Sequence, residues 1–347
     1  MIKKIILFVF IVIISISVFF YYKNTSDLKS NTTLFIVNDK KISDDIKILH
    51  LILFRYIPQN KELRVLFIDD NITIIQKKIK SRSFNENYYM QKGNKNLFIK
   101  NEIKKIFTKD IFVDNYISMD IEDCKNFINI LNIKDNTSEE FKNNLLLNEN
   151  YLIKIIYNIK FIRNIFRNVN RFKFLKFLKY IKENKYLIDT DLSSINVLKV
   201  YLALKSINDI CFIDVPTINK RKRIEINNDF INKTEQIFFE DNMLYKEQKD
   251  IKVKVLNASQ KQRMAIKVVD KLRNNGFDVF EWGSYSKVYD YTLILNLTEN
   301  KQSALKMQNI LGCGEILYRF EDKPFENIRV IIGKDCNISD SLDTKKN

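Results

Sequence analysis

Three arginines recur every four residues in one long basic stretch of this chain, at Arg163, Arg167 and Arg171. On an α-helix this spacing places the three side chains along one face. Guanidinium forks match the oxygens of phosphate groups, so the face is a candidate clamp for a phosphate-bearing ligand. The alternative interpretation is a solvated basic face beside an apolar stripe that includes Phe166 and Phe172.

Other side chains that do chemistry are scarce. The chain has one histidine, His50, and it lies in an apolar stretch. Nucleophilic catalysis with a histidine base would have to use that one residue, so we do not expect it. The four cysteines, Cys124, Cys211, Cys313 and Cys336, are far apart and form no C-x-x-C pair. Export would allow them to oxidise, but the favoured interpretation is two or more buried free thiols.

The chain is strongly basic, with a formal net charge of +16 and a pI of about 9.4. Such a balance favours anionic partners such as lipid headgroups, phosphorylated glycans or nucleic acid. The sequence contains neither zinc-finger spacing nor an aromatic RNA-binding signature, so a nucleic-acid partner is not expected.

An apolar run near the N-terminus predicts a membrane helix. Lys3 and Lys4 precede residues 5–22, IILFVFIVIISISVFFYY, which contain no charge. About 20 apolar residues span a bilayer, and the lysine pair favours a cytoplasmic N-terminus. The alternative, a cleaved signal peptide, would have a shorter core and a small-residue cleavage site. The sequence therefore predicts a single-pass protein of the cytoplasmic (inner) membrane, with most of the chain extracytoplasmic.

Patterns of strands and helices divide the rest of the chain and predict an α/β fold. We assign residues 1–24 to the anchor, 25–230 to an α/β domain, 231–250 to a linker, 251–336 to a compact C-terminal domain and 337–347 to a disordered tail. The C-terminal domain alternates as βαββαββ, which indicates a sheet backed by helices.

Four pieces of the C-terminal domain appear in the order found in the LytR C-terminal domain of bacterial envelope proteins. They are VKVLNAS (Val253–Ser259), NNGFDV (Asn274–Val279), DYT (Asp290–Thr292) and IIGKD (Ile331–Asp335). The family carries glycines after the asparagine of the first piece, where this chain has Ala258 and a run from Gln260 to Arg263. The resemblance points to these binding candidates: Asn257, Ser259, Asp290 and Tyr291.

The middle of the chain resembles a degenerate LytR–CpsA–Psr domain. SFNENYY (Ser83–Tyr89), VDNYISMD (Val113–Asp120) and the long basic stretch follow one another as in that family. Its members transfer phosphoglycopolymers from a polyprenyl-pyrophosphate carrier to peptidoglycan, using arginines and a divalent metal. By this resemblance Arg163, Arg167 and Arg171 are the candidate catalytic residues.

The chemical motifs of that family are changed in this chain. Its Arg-Ser-Asp pattern appears as Ile42–Asp44, which leaves Asp44 as a candidate ligand for Mg²⁺ or Mn²⁺. Its Pro-Arg-Asp pattern appears as Asp69–Asn71, so an acid, Asp70, replaces a phosphate-binding cation. Removing one preorganised donor costs ~3 kcal/mol of transition-state stabilisation.

These observations favour a non-catalytic binding or scaffolding protein of the LytR–CpsA–Psr type that acts in cell-wall assembly. Its expected partners are the membrane and peptidoglycan, a polyprenyl-linked glycan or other envelope proteins. The alternative is an active metal-dependent phosphotransferase. Only this alternative requires Mg²⁺ or Mn²⁺. A third hypothesis is a module that binds anionic lipid through its basic helix.

Overall fold

The computed structural model describes residues 31–39, 47–74, 82–91, 93–107, 113–120, 122–124, 151–168, 179, 183, 188–191, 207–220, 223–240 and 250–338. The predicted membrane helix (residues 5–22), the candidate metal ligand Asp44 and most of the predicted tail lie outside these ranges. Within them, none of the helices is both long and apolar enough to cross a membrane.

Fifteen strands and six helices lie within the described ranges. The strands are β1 (Asn31–Asp39), β2 (Lys47–Ile57), β3 (Glu62–Ile68), β4 (Thr73–Ile74), β5 (Arg82–Ser83), β6 (Asn115–Asp120), β7 (Ile188–Thr190), β8 (Asp209–Asp214), β9 (Thr217–Lys220), β10 (Arg223–Ile226), β11 (Lys252–Asn257), β12 (Asp278–Ser284), β13 (Leu293–Asn296), β14 (Glu315–Tyr318) and β15 (Ile328–Ile332). The helices are α1 (Phe84–Met90), α2 (Lys95–Lys104), α3 (Tyr151–Asn168), α4 (Asn228–Phe239), α5 (Met264–Arg273) and α6 (Lys301–Leu311). The βαββαββ order predicted for the C-terminal domain is confirmed.

Eleven of the strands form one mixed sheet, in the order β12-β11-β15-β13-β14-β8-β3-β2-β1-β6-β7. This confirms an α/β fold. The two predicted domains share the sheet, because β14 pairs in parallel with β8 through Leu317 with Phe212 and Tyr318 with Ile213. Strands β1, β3, β6, β8, β13 and β14 run in one direction.

Helices cover both faces of the sheet. One core cluster includes buried side chains of α1, α2, α4, α5 and α6, for example Phe84, Ile99 and Val268. The other cluster places Ile155 and Ile159 of α3 against β3, β8, β13 and β14. Helix α3 therefore lies across the seam between the two predicted domains.

The first part of the predicted linker, residues 231–250, is helical instead. Asn227 caps α4 by accepting a hydrogen bond from the Asp229 N–H at 3.2 Å. Ile231 and Phe238 are buried on one face of this helix. The linker assignment is corrected for residues 231–239, because this spacing of apolar side chains gives α4 a core-facing stripe. Residues 241–249 are not described.

Candidate functional site

Buried acids stand at the carboxyl ends of three strands that run in one direction, the neighbours β3 and β8 and the more distant β6. Asp120 closes β6, Asp214 closes β8, and Asp69 and Asp70 follow β3 directly. Ligands of open α/β sheets bind outside the carboxyl ends of the strands, so this edge is a candidate site. We call Asp69, Asp70, Asp120 and Asp214 the acid edge.

Two members of the acid edge have local partners that explain their placement. Asp69 Oδ1 accepts hydrogen bonds from the backbone N–H and the side-chain amide of Asn71, at 2.9 and 3.0 Å. Asp70 Oδ2 accepts one from Asn85 Nδ2 at 2.5 Å. Burial raises the pKa of Asp70 to about 6; the charge of Asp69 adds to the effect, whereas Lys154 opposes it.

Asp214 joins three parts of the molecule. Its carboxylate accepts a hydrogen bond from the hydroxyl of Tyr151, the first residue of α3, at 2.7 Å. Arg319, which follows β14, lies 3.3 Å away. Burial raises the pKa of Asp214 to about 6, although Arg319 and Tyr151 both act to lower it. The carboxylate also contributes, after burial, to the raised pKa of Tyr151.

The acid edge does not fit a metal site or a pyrophosphate site. The carboxylates of Asp69, Asp70 and Asp214 already accept hydrogen bonds from protein donors. In the described part of the chain, no group of three or more His, Cys, Asp or Glu residues is placed to hold a metal ion. Without such an ion, several buried acids repel a pyrophosphate group.

Replacing Asp70 with asparagine is expected to stabilise the protein at neutral pH. A buried carboxyl with a pKa of about 6, against an ordinary 3.8, resists ionisation in the folded state. Wild-type stability therefore falls as the pH rises from about 4 to about 6, whereas the variant lacks this loss. Above pH ~6 we expect the variant to be about 2 kcal/mol more stable, and below pH ~4 the difference should vanish. Urea unfolding across this range measures it, and a flat difference would contradict the burial of a titrating carboxyl.

The predicted arginine clamp does not meet the acid edge. Arg163 Nε lies 2.5 Å from Glu315 Oε2, and its guanidinium lies 5.3 Å from the ring centre of Phe212. Glu315 is the first residue of β14, which runs parallel to β8. It therefore lies at the amino ends of these strands, opposite the carboxyl ends that carry the acid edge. Arg163 lies twelve positions after Tyr151 on α3, which is roughly 18 Å along the helix axis. The side chain of Arg167 and the whole of Arg171 are not described.

Asn257 and Ser259 close the turn that follows β11. Asn257 Oδ1 accepts hydrogen bonds from the Ser259 N–H at 3.0 Å and hydroxyl at 2.7 Å, and its amide donates to the Lys261 carbonyl at 2.9 Å. The turn keeps a backbone suited to glycine, because Gln260 and Arg263 have φ values of 61° and 58°. The close-turn conformation therefore persists without the glycines of the family.

Replacing Arg263 with glycine is expected to raise stability by about 1 kcal/mol. The left-handed backbone brings Cβ close to the following carbonyl oxygen, and glycine has no Cβ. Arg263 is exposed, so its side chain loses little packing. The midpoint of urea unfolding measures the gain; an unchanged or lower midpoint would mean that the arginine side chain supports the turn.

Asp290 and Tyr291 lie where α3 meets the C-terminal domain. Asp290 accepts hydrogen bonds from Tyr157 Oη at 2.5 Å and from Lys334 Nζ at 2.8 Å. Burial acts to raise the pKa of Asp290, but these two partners outweigh it and hold the pKa below its ordinary value. The Tyr291 ring packs edge-to-face on Tyr157 at 5.4 Å, with Lys160 Nζ 4.9 Å from its centre.

A pocket opens beside Asp290, which we call the junction pocket. Its cavity volume is about 50 Å³. The lining residues are Ile153, Ile156, Tyr157, Val288, Tyr289 and Asp290. Helix α3 supplies one wall and the segment before β13 supplies the other, so two of the predicted binding residues, Asp290 and Tyr291, lie in or next to it.

Two of the four cysteines form a disulfide bond. Cys313 and Cys336 are joined with a Cα–Cα distance of 5.4 Å, within the usual range. The structure agrees with the interpretation of two or more buried free thiols, and Cys313 and Cys336 pair because the segment after β15 packs against the end of α6. Cys124 and Cys211 are free and buried.

Alkylation should distinguish these cysteines by mass. The denatured chain is expected to take up two iodoacetamide groups without reductant and four after reduction. In the native chain, Cys124 and Cys211 should react slowly, because burial raises the pKa of both thiols, that of Cys211 to about 12. Four groups on the denatured, unreduced chain would contradict the disulfide.

Sequence reasoning missed Asp214, Tyr157 and Arg319. Asp214 carried a signal, since it directly follows the short apolar run Cys211–Ile213, and the ends of strands that run in one direction collect at one edge. Tyr157 carried none, because its partner is 133 residues away in the chain. The partner of Arg319 is also remote in sequence, and only the seam between β14 and β8 brings the two together.

Comparisons with known proteins place the C-terminal domain in a family. The model described as LytR cell envelope-related transcriptional attenuator matches residues 250–335. The curated protein sequences contain no match to this chain.

Solved structures of low sequence identity are similar to this chain. A transcriptional regulator from Enterococcus faecalis has a TM-score of 0.48 and 12% identity, covering 62% of this chain and 89% of its own. The LytR-CPS2A-psr family protein YwtF (TagT), from Bacillus subtilis, was solved with bound octaprenyl pyrophosphate lipid. It has a TM-score of 0.45 and 11% identity, covering 61% of this chain and 90% of its own. TM-scores of this size do not establish a common fold. The family match is independent of these structures, because it comes from the sequence of residues 250–335. These residues of the chain form a LytR C-terminal domain.

Proposed function

We propose that this chain is a membrane-anchored, extracytoplasmic cell-envelope protein of the LytR–CpsA–Psr type that binds wall glycan without transferring it. The LytR C-terminal domain supports a role in the envelope. The disulfide between Cys313 and Cys336 supports export, because such bonds persist in oxidising compartments. The apolar run of residues 5–22 supplies the anchor.

The separation of Arg163 from the acid edge is the observation that carries the non-catalytic part of this proposal. Transfer from a pyrophosphate carrier requires preorganised positive charge around the phosphates. Arg163 is instead paired with Glu315, and Asp70 stands where the family has a phosphate-binding cation. The described residues thus supply acids at the edge where a transferase needs cations.

Two measurements on the full-length chain in mild detergent test the proposal. We expect the protein to sediment with purified peptidoglycan sacculi. We also expect it to release no lipid carrier from a polyprenyl-pyrophosphate glycan in the presence of Mg²⁺ or Mn²⁺. Release that is abolished by Arg167→Ala or Asp44→Ala would overturn the non-catalytic assignment. Failure to sediment with sacculi would overturn glycan binding.

A further inference from the structure

The first turn of α3, residues 151–154, lies over the acid edge. Tyr151 Oη donates to the Asp214 carboxylate at 2.7 Å, and the charge of Lys154 acts on Asp70. The four residues of this turn are half-buried, whereas residues 155–159 of the same helix are buried. The partly exposed end of a helix opens at a lower free-energy cost than its packed centre. The first turn is therefore the part of α3 that can lift while the rest stays in place.

A cluster of buried carboxyl groups lies beneath this turn. Asp214 is 1% exposed, and Asp69 and Asp70 are 5% and 4% exposed. Arg319 reaches Asp214 from the segment after β14 at 3.3 Å, but Glu321 also approaches this arginine, at 3.5 Å. Like charges that are buried together disfavour one another's ionised forms. The closed turn therefore opposes full ionisation of the carboxyls that it covers.

We propose that the first turn of α3 is a pH-sensitive lid, closed over the acid edge while Asp214 holds a proton and released as Asp214 ionises. This inference goes beyond the proposed function and does not depend on it, because it concerns only how α3 covers the sheet. Each element that packs at this place contributes titratable or charged groups. These are Tyr151 and Lys154 of α3, Asp69 and Asp70 after β3, Asp214 of β8 and Arg319 after β14.

The direction of the switch follows from the state of Asp214 under the closed lid. Burial raises the pKa of Asp214 to about 6; Arg319 and Tyr151 oppose the effect, and Asp69 adds to it. When the turn lifts, water reaches the carboxyl and its pKa moves toward the ordinary 3.8. The closed state thus binds the proton more tightly, so it is fully favoured below pH ~4 and loses this advantage as the pH rises to ~6. The acid edge is covered in acid and accessible at neutral pH.

Hydrogen exchange of the full-length chain in mild detergent, followed by mass spectrometry, tests the lid. The amides of residues 155–158 donate to the carbonyls of the first turn, so they exchange when the turn lifts. Asp214→Asn keeps an acceptor for Tyr151 but cannot ionise. Dividing the wild-type exchange rate by that of the variant at the same pH removes the effect of pH on the chemical exchange step. We expect this ratio to rise at least about tenfold between pH ~4.5 and pH ~7, the effect of one pKa unit.

Asp209→Asn is the matched control. Asp209 is an acid of the same strand, β8, but it lies at the opposite end and 44% of its side chain is exposed. The ratio of wild type to this variant should stay constant with pH. A ratio for Asp214→Asn that is also constant, or an equal rise for Asp209→Asn, would overturn the lid.

Tyr151→Phe gives a second, independent readout and decides the question if Asp214→Asn does not fold. The hydroxyl of Tyr151 acts to lower the pKa of Asp214. Its loss should therefore move the rise in exchange of residues 155–158 to higher pH, whereas a merely structural hydroxyl would change exchange equally at every pH. A profile that keeps its wild-type midpoint would contradict the lid.

Discussion

Replacing Glu62 with alanine is expected to destabilise the protein by about 3–5 kcal/mol. The side chain of Arg64 is fully buried, and both its Nε and Nη2 donate to Glu62 Oε2 at 3.1 Å. The other oxygen of Glu62 lies 3.1 Å from Nζ of Lys301, at the start of α6. Arg64 Nη1 also donates to the Glu240 carbonyl at 2.6 Å. Alanine at position 62 would therefore leave the buried guanidinium with this carbonyl but without its carboxylate partner. The shift in the urea unfolding midpoint measures the loss.

Asp209→Ala provides the matched control for Glu62→Ala. Asp209 binds the same lysine, at 2.5 Å from Lys301 Nζ, but 44% of its side chain is exposed. Exposed ion pairs contribute about 0–1 kcal/mol, so this variant should lose little stability. Equal losses in the two variants would show that burial of Arg64 does not determine the effect.

Replacing Gly333 with alanine should cost about 3 kcal/mol or more. A Cβ at this position would lie 2.2 Å from the Tyr291 carbonyl carbon and 2.6 Å from the Thr292 nitrogen. This backbone cannot easily move, because the carboxylate of Asp335 accepts from the Thr292 N–H at 2.7 Å and from its hydroxyl at 2.8 Å. Thermal or urea unfolding measures the effect.

Gly283→Ala is the control for Gly333→Ala in the same domain. A Cβ on Gly283, in β12, would have nothing within 4 Å. The substitution should leave the unfolding midpoint unchanged within about 0.5 kcal/mol. A mild effect at Gly333, equal to that at Gly283, would show that the strands can separate to admit a methyl group. The glycine of the IIGKD piece thus serves close backbone approach, a role that its sequence position alone did not reveal.

The C-terminal domain was predicted well because its signals are local. Its strands are short apolar runs, and α6 ends at Gly312 in the left-handed conformation, the usual place for a glycine after a helix. The middle of the chain also contains a local signal for a helix, which the sequence analysis did not use. Ser83 and Glu86 form a capping box for α1, so the SFNENYY stretch is helical from Phe84 onward.

Contacts between remote residues could not be predicted from the sequence. The pairing of Arg163 with Glu315 depends on where α3 crosses the sheet, and spacing along α3 contains no information about that crossing. The same holds for the junction pocket, whose two walls come from Tyr157 and Asp290, 133 residues apart. A helix is present at Arg163 and extends to Asn168, but the charge of Arg163 alone did not reveal its partner.

The seam between β8 and β14 sets an order of events during synthesis. Phe212 of β8 pairs with Leu317, so the chain must grow by roughly 100 residues before that partner exists. At about 5–20 residues per second, β8 waits roughly 5 to 20 s without its neighbour. An uncovered strand edge is a template for pairing with other chains. The C-terminal domain therefore closes the nascent sheet, and a chain that stops near residue 250 leaves the edge of β8 open to aggregation.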